Sequence, residues 1–381
     1  MRPVSIVGIG QIPVKKNYDL SLRDMGAVVV SQAMADAGVD EIDALYASNM
    51  LSDELQDQKH IAALIADQAG LHGIEAFQVR AATASGSAAL RMAYLAVASG
   101  AVRLAVAIGV EKMTSGQATS ALAKALDSKK EVPDGATMIS QNARLMQLYL
   151  NRYEVPAGAL ACFSVNAHRN AASNQQALFQ DIQFEVEDVL SSRIIMDPIR
   201  LLDCSPVCDG AAAVVLASGD VAAAIKKYPV KILGSSVAVD RFRMFDRAEP
   251  LELEAVKIST RKAFCQAGLK IQDIDLFELH DAFSIMACLS LEATNFAEPG
   301  QGWRLATEGE ISLDGRIPIS SLGGLKARGH PIGATALYQA CEMVLQLSGQ
   351  AGKSQISGAK AALMQSVGGA GTTIITHIFG I

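Results

Sequence analysis

Four short stretches of the 381-residue chain place reactive side chains among small ones. In Glu278-Leu279-His280-Asp281-Ala282-Phe283, an imidazole and a carboxylate follow an apolar run. The end of a strand is where α/β proteins set polar groups into a crevice. A lone histidine is as often a satisfied structural residue. In Gly323-Gly324-Leu325-Lys326-Ala327-Arg328-Gly329-His330-Pro331-Ile332-Gly333-Ala334-Thr335, four glycines let the backbone approach a ligand, and Pro331 presets a helix start. His330 then sits near a helix N-terminus, where the dipole favours the neutral imidazole that a general base needs. Ala82-Thr83-Ala84-Ser85-Gly86-Ser87 opens another helix, whose free N–H groups could stabilise an oxyanion; a plain cap by Thr83 or Ser85 is the alternative. Gln365-Ser366-Val367-Gly368-Gly369-Ala370-Gly371 either adds oxyanion amides or is a tight turn between strands.

The elements that must position these stretches occur twice. An alanine-rich helical pattern from Ser21 stops at Ala37-Gly38-Val39 and leads into a strand at Ile42–Tyr46; Leu251 to Asp281 repeats the order, with Gly268 as the stop and Ile274–Glu278 as the strand. Thr83 to Gly100 followed by Leu104–Gly109 matches Gly323 to Gly349 followed by Ala361–Val367. Each half opens with a strand, Val4–Ile9 or Val230–Leu233. Alternating strands and helices predict a parallel sheet covered on both faces, duplicated about a pseudo-twofold, with halves at 1–228 and 229–381. Chance similarity of generic βα units is the alternative. Residues 115–200 do not repeat and read as an inserted loop domain, the usual place for a lid or binding loop.

Composition excludes several classes. Lys and Arg number 33 against 39 Asp and Glu, a net charge of −6, which argues against a nucleic-acid binder. Half the residues are hydrophobic but only 5% aromatic, so the core is built from small side chains. No apolar run approaches the roughly 18–20 residues of a membrane span, and the first residues read as a strand, not a secretory signal. The six cysteines form no CxxC pair and no zinc spacing, and read as reduced structural thiols of a cytoplasmic protein.

Together these stretches resemble the thiolase family over essentially the whole chain. GHPIGAT at 329–335, HDAF at 280–283, DGAAA at 209–213, VEKM at 110–113 and the C-terminal glycine turn fall in the family's order. HDAF in place of NEAF resembles the branch of sterol-carrier-type and archaeal thiolases. The resemblance implies a duplicated five-layer α/β/α/β/α sandwich, dimeric or tetrameric, acting on coenzyme A thioesters with no metal or redox cofactor. It also implies a small zinc-containing OB-fold (DUF35-type) partner. His330 and His280 would serve as base and oxyanion donors, with the amides of Thr83 and Gly368. His168 (with Asn166, Asn170 and Asn174 along the pantetheine), Ser85 and Gly329 are the coenzyme A candidates; a solvated polar helix face is the stronger reading of the first four.

One residue breaks the pattern. Thiolases carry the acyl group on the cysteine of Cys-Ala-Ser-Gly, and here the segment reads Thr83-Ala84-Ser85-Gly86. The acid/base cysteine of Cys-x-Gly is Ser366, and that of HDCF is Ala282. A thiol ionises readily beside a histidine, whereas a hydroxyl must lose its proton during attack. Threonine with His330 as base is therefore the weaker mechanism. The leading expectation is an acyl-CoA enzyme that makes or breaks a carbon–carbon bond beta to the thioester by direct enolate chemistry, retro-aldol or Claisen. The alternative is a silent, coenzyme A-thioester-binding scaffold subunit. Ordinary thiolase chemistry in a chain substituted at its nucleophile is a third, for which serine or alanine would be the usual replacement.

Overall fold

The computed structural model describes residues 2–226 and 229–381. The expected division at 228/229 falls on residues outside this set. In chain order, the elements that position the site are β1 (Val4–Gln11), α1 (Leu22–Ala37), β2 (Ala44–Ser48), β3 (Glu75–Val79), α2 (Ser85–Ser99) and β4 (Leu104–Lys112). The inserted region holds α3 (Met138–Tyr153) and α4 (Ala161–Ala171), and β5 (Asp209–Ser218) follows. The rest comprises β6 (Val230–Val239), α5 (Glu254–Ala267), β7 (Leu276–Glu278), α6 (Ser284–Ala293), α7 (Thr335–Leu347), β8 (Ala361–Gly368) and β9 (Thr373–Gly380).

The strands are ordered β3-β2-β4-β5-β1-β6-β9-β8-β7. In both halves the first strand sits beside the last, then the penultimate, then the second. Phe277 of β7 bridges Ile319 where β2 pairs with β3, so the order continues in kind. Among the described residues the halves join edge to edge through two residue pairs, Ser5–Lys231 and Ile6–Val230.

The expectation of a parallel sheet is corrected. Only β2–β3, β2–β4 and β7–β8 are parallel; β5 and β9, each between its neighbours, run antiparallel to both. For β9 the reason is connectivity. β8 and β9 are joined by four residues, a hairpin length that only antiparallel pairing permits.

Alternation along β5 shows how the layers form. Ala212, Val214 and Leu216 join the core shared with α2 and α7, whereas Ala211, Ala213, Val215 and Ala217 join the core against α1. α2 and α7 touch each other and strands of both halves, α1 lies outside the first half and α5 outside the second. This gives helix, sheet, helix, sheet, helix. Both α1 and α5 end on left-handed glycines, Gly38 (φ 67°) and Gly268 (φ 66°).

The inserted region is fastened to the second half by its polar face. Asn170 donates to the carbonyls of Ile319 and Ser320 (both 3.2 Å), and Asn174 to that of Leu322 (2.8 Å). Asn166, His168, Asn170 and Asn174 are all buried, which corrects the reading of a solvated helix face. These amides pair with irregular main chain that would otherwise be buried without partners. Among the described residues, no helix is long and apolar enough to cross a membrane.

Candidate active site

β7 ends at Glu278, and the next residues turn into the molecule. Glu278 accepts from the N–H of Ser321 (2.7 Å), and Asp281 accepts from the N–H of Leu325 (2.8 Å) and the hydroxyl of Ser320 (3.2 Å). Both carboxylates are therefore scaffolding for the loop that leads to His330. His280, between them, makes no side-chain hydrogen bond among the described residues, and its Nδ1 is buried without a partner. Burial pushes its imidazole down to about 3, so it is neutral.

The segment before His330 coils as a π turn, Gly324–Arg328, between Gly323 (φ 109°) and Gly329 (φ 113°). Only glycine takes these angles without strain, and a Cβ on Gly329 would meet Val14 Cγ1 at 2.6 Å. The N–H of His330 donates to Cys208 Sγ (3.2 Å), and its Nδ1 lies 2.7 Å from Thr335 Oγ1. The Thr335 hydroxyl is 3.2 Å from the Pro331 carbonyl, which takes its proton. Nδ1 then carries the ring hydrogen, and the lone pair is on Nε2, which has no hydrogen-bond partner among the described residues. Burial first, then His280 and Arg328, holds this imidazole well below its usual range. The two rings lie 5.1 Å apart at 86°.

Behind them, Glu111 of β4 accepts from the N–H groups of Met50 (2.8 Å), Leu51 (3.1 Å) and Gly333 (2.9 Å). Burial lifts its carboxyl to about 7. The contact leaves no room: a Cβ on Gly109 would meet the Gly333 carbonyl oxygen at 2.3 Å.

Thr83 lies in the turn that opens α2. Ala82 is left-handed (φ 49°), and Ser85 ties the turn by donating to the Ala82 carbonyl (2.6 Å) and accepting from the N–H of Ala81 (3.0 Å). Neither Thr83 nor Ser85 caps the helix, whose N-cap is Ala84. The Thr83 hydroxyl donates to the carbonyl of Val367 (2.5 Å), and no imidazole holds it.

A cavity of about 140 Å³ brings Thr83, His280 and His330 together. Its remaining wall is largely apolar and methionine-rich, with Met113, Met138, Phe283 and Met286. Ser366, Gly368, Ser85, Gly329 and His168 do not line it. Ser366 is buried within β8, and its neighbour Val367 reaches the cavity instead. Gly368 packs on the Thr83 turn, where a Cβ would meet the Ala81 carbonyl oxygen at 2.6 Å. His168 is packed against Phe179 and Phe184, its Nδ1 3.1 Å from the carbonyl oxygen of Ile182. Among the cavity residues that the sequence reading did not single out is Cys204, a thiol read there as merely structural. Its only signal was the Cys204-Ser205-Pro206 break before β5.

This fold and paired-histidine cavity are those of the thiolase class of α/β proteins, and comparison with known sequences bears that out. The family described as thiolase, N-terminal domain, matches residues 4–220, and thiolase C-terminal domain-like matches 236–381; the chain belongs to the thiolase family. It is 42% identical to an acetyl-CoA acetyltransferase of Methanothermobacter thermautotrophicus, over 100% of both chains. It is 29% identical to human sterol carrier protein 2, over 99% of this chain and 72% of that one. A solved structure described as Ltp2-ChsH2(DUF35) aldolase superposes with a TM-score of 0.87 at 24% identity, covering 99% of this chain and 97% of that chain, a likeness of fold.

Proposed function

We propose that this chain makes or breaks a carbon–carbon bond beta to a coenzyme A thioester without a covalent acyl-enzyme. The observation that carries the reading is the contrast within one cavity. The Thr83 hydroxyl is committed to the Val367 carbonyl, while among the described residues neither His330 Nε2 nor the His280 ring has a hydrogen-bond partner. In this reading His330 Nε2 takes the proton of a β-hydroxyl, whose oxygen becomes a carbonyl as the acyl chain is cut, or of a coenzyme A thiol, whose sulfur first bonds to the β-carbonyl carbon. The Cα–Cβ bond then breaks, its electron pair passing to the thioester carbonyl, whose enolate oxygen is held by an N–H of His280. The amide of Thr83 is proposed as a second donor, together with that of Gly368, which does not itself line the cavity but lies between the lining residues Val367 and Gly369. Ser366, away from the cavity, takes no part, and Ser85, Gly329 and His168 serve the frame of the site and not coenzyme A directly.

The functional unit in this reading is a homodimer or tetramer in the cytoplasm, its halves dividing at 228/229, beside a zinc-containing OB-fold partner. The aldolase of like fold is named together with a DUF35 protein, which supports that last element.

The test assays the protein, alone and with any co-encoded OB-fold partner, on acetoacetyl-CoA plus coenzyme A and on β-hydroxyacyl-CoAs, beside Thr83→Cys and His330→Ala. Turnover by wild type that His330→Ala abolishes supports the proposal. Thiolysis gained only in Thr83→Cys shows a competent site that has changed its reaction. If wild type and His330→Ala are equally inert while coenzyme A still binds, the chain is a binding subunit.

A further inference from the structure

Position 282 is an alanine, and the thiol that the structure brings to the wall of this cavity comes from elsewhere in the chain, Cys204. Cys204 forms an antiparallel bridge with Phe283, and the N–H of Ser205 donates to the carbonyl of Ala282 (2.9 Å). The segment is pinned from the other side as well. Lys326 Nζ donates to the Asp203 carbonyl, and the Asp203 carboxylate accepts from the Ser284 hydroxyl (2.8 Å). Cys204 is thus fixed between the HDAF segment and the loop leading to His330. It lines the same cavity as His280, which is only 4% exposed and has no side-chain partner among the described residues. An unpartnered buried imidazole on a cavity wall points to a polar ligand atom there. The other five cysteines do not line this cavity.

We infer that Cys204 is the acid/base thiol of this cavity, the group that exchanges a proton with the α-carbon of the acyl-CoA. This rests on the enolate reading above and supplies the step that reading leaves open. After the Cα–Cβ bond breaks, the Cys204 S–H bond breaks and a C–H bond forms at Cα, leaving a thiolate. The proton taken up by His330 returns to that sulfur through solvent, and both groups are restored. In reverse, the thiol proton moves to His330 Nε2 and the thiolate removes a proton from Cα, the C–H electron pair passing to the thioester oxygen as the enolate. Burial keeps the thiol protonated, pushed up to about 11, as a proton donor requires and an acyl-accepting nucleophile does not. Its one side-chain hydrogen bond among the described residues, to the Arg200 carbonyl at 3.5 Å, has an ordinary length for the sulfur of a half-buried thiol.

The experiment follows deuterium entering the α-carbon of acetyl-CoA in D2O by mass spectrometry, with the whole protein and any OB-fold partner. Wild type, Cys204→Ser and Cys204→Ala are compared, and calorimetry of coenzyme A binding serves as the check on folding. Loss of exchange by at least about 100-fold in both variants, with coenzyme A bound as in wild type, is the expected result. Exchange in Cys204→Ala equal to wild type overturns the inference and leaves the enolate reading standing. An acyl adduct on Cys204 overturns it too, because the thiol would then be a nucleophile. Absence of exchange in wild type overturns the enolate reading and this inference together. If the variants lose coenzyme A binding, Cys204→Val, which fills the space of the thiol without its proton, replaces them under the same criteria.

Discussion

Two turns open the two central helices, one from each half of the molecule, and they now do different things. The first half's turn has its polar groups tied off: Ser85 ties it, Ala82 takes a left-handed angle, and the Thr83 hydroxyl donates to the carbonyl of Val367 in the second half. The second half's turn is held from behind by Glu111 and Thr335, and it leaves His330 Nε2 open to the cavity. Duplication placed two helix N-termini at one cavity. Among the described residues the second leaves a ring nitrogen without a partner there, whereas the first commits its hydroxyl to the Val367 carbonyl.

The comparison can be broken from either side, and the expected effects fall in size as follows. His330→Ala lowers turnover by about 10²–10⁴, the usual weight of a positioned acid or base, while coenzyme A binding measured by calorimetry is retained. Thr335→Val removes the acceptor that fixes the Nδ1 tautomer. It lowers kcat by roughly 10–100-fold with little change in KM, and steady-state kinetics checks it. Gly109→Ala forces a methyl into the Gly333 carbonyl and costs about 1–3 kcal/mol in a denaturant titration. Asn174→Ala strands the buried Leu322 carbonyl and costs about 1 kcal/mol by the same measurement.

pH sharpens the contrast without mutation. The imidazoles of His280, His377 and His168 are depressed to about 3, 3 and 4. The unfolded chain, with ordinary imidazoles near 6.5, then binds more protons than the folded one below that pH. These groups contribute stability that is whole above pH 6.5 and is lost progressively as pH falls from 6.5 to about 3. Histidine NMR should show the His280 ring neutral at pH 5. A ring titrating near 6.5 would contradict its burial.

The positions of His280, His330 and Thr83 were legible because motifs fix them, and the duplication because glycine stops and strand openings recur. Strand direction was not. Nothing in Asp209–Ser218 reports that it runs against both neighbours, since a strand buried on both faces has the same composition either way. The role of Asn166, Asn170 and Asn174 was hidden for a similar reason: a polar stripe on a helix looks the same whether water or buried main chain satisfies it. Cys204 was missed because its bridge to Phe283 joins distant parts of the chain, and no local spacing encodes a contact of that kind.

The central claim is that enolate chemistry runs through the histidines and not through Thr83. Deuterium exchange at the α-carbon of acetyl-CoA tests it most directly, in wild type, Thr83→Ala and His280→Ala. The account predicts exchange in Thr83→Ala within about twofold of wild type, and a fall of at least about 100-fold in His280→Ala. Exchange that disappears with Thr83 and survives the loss of His280 would contradict it.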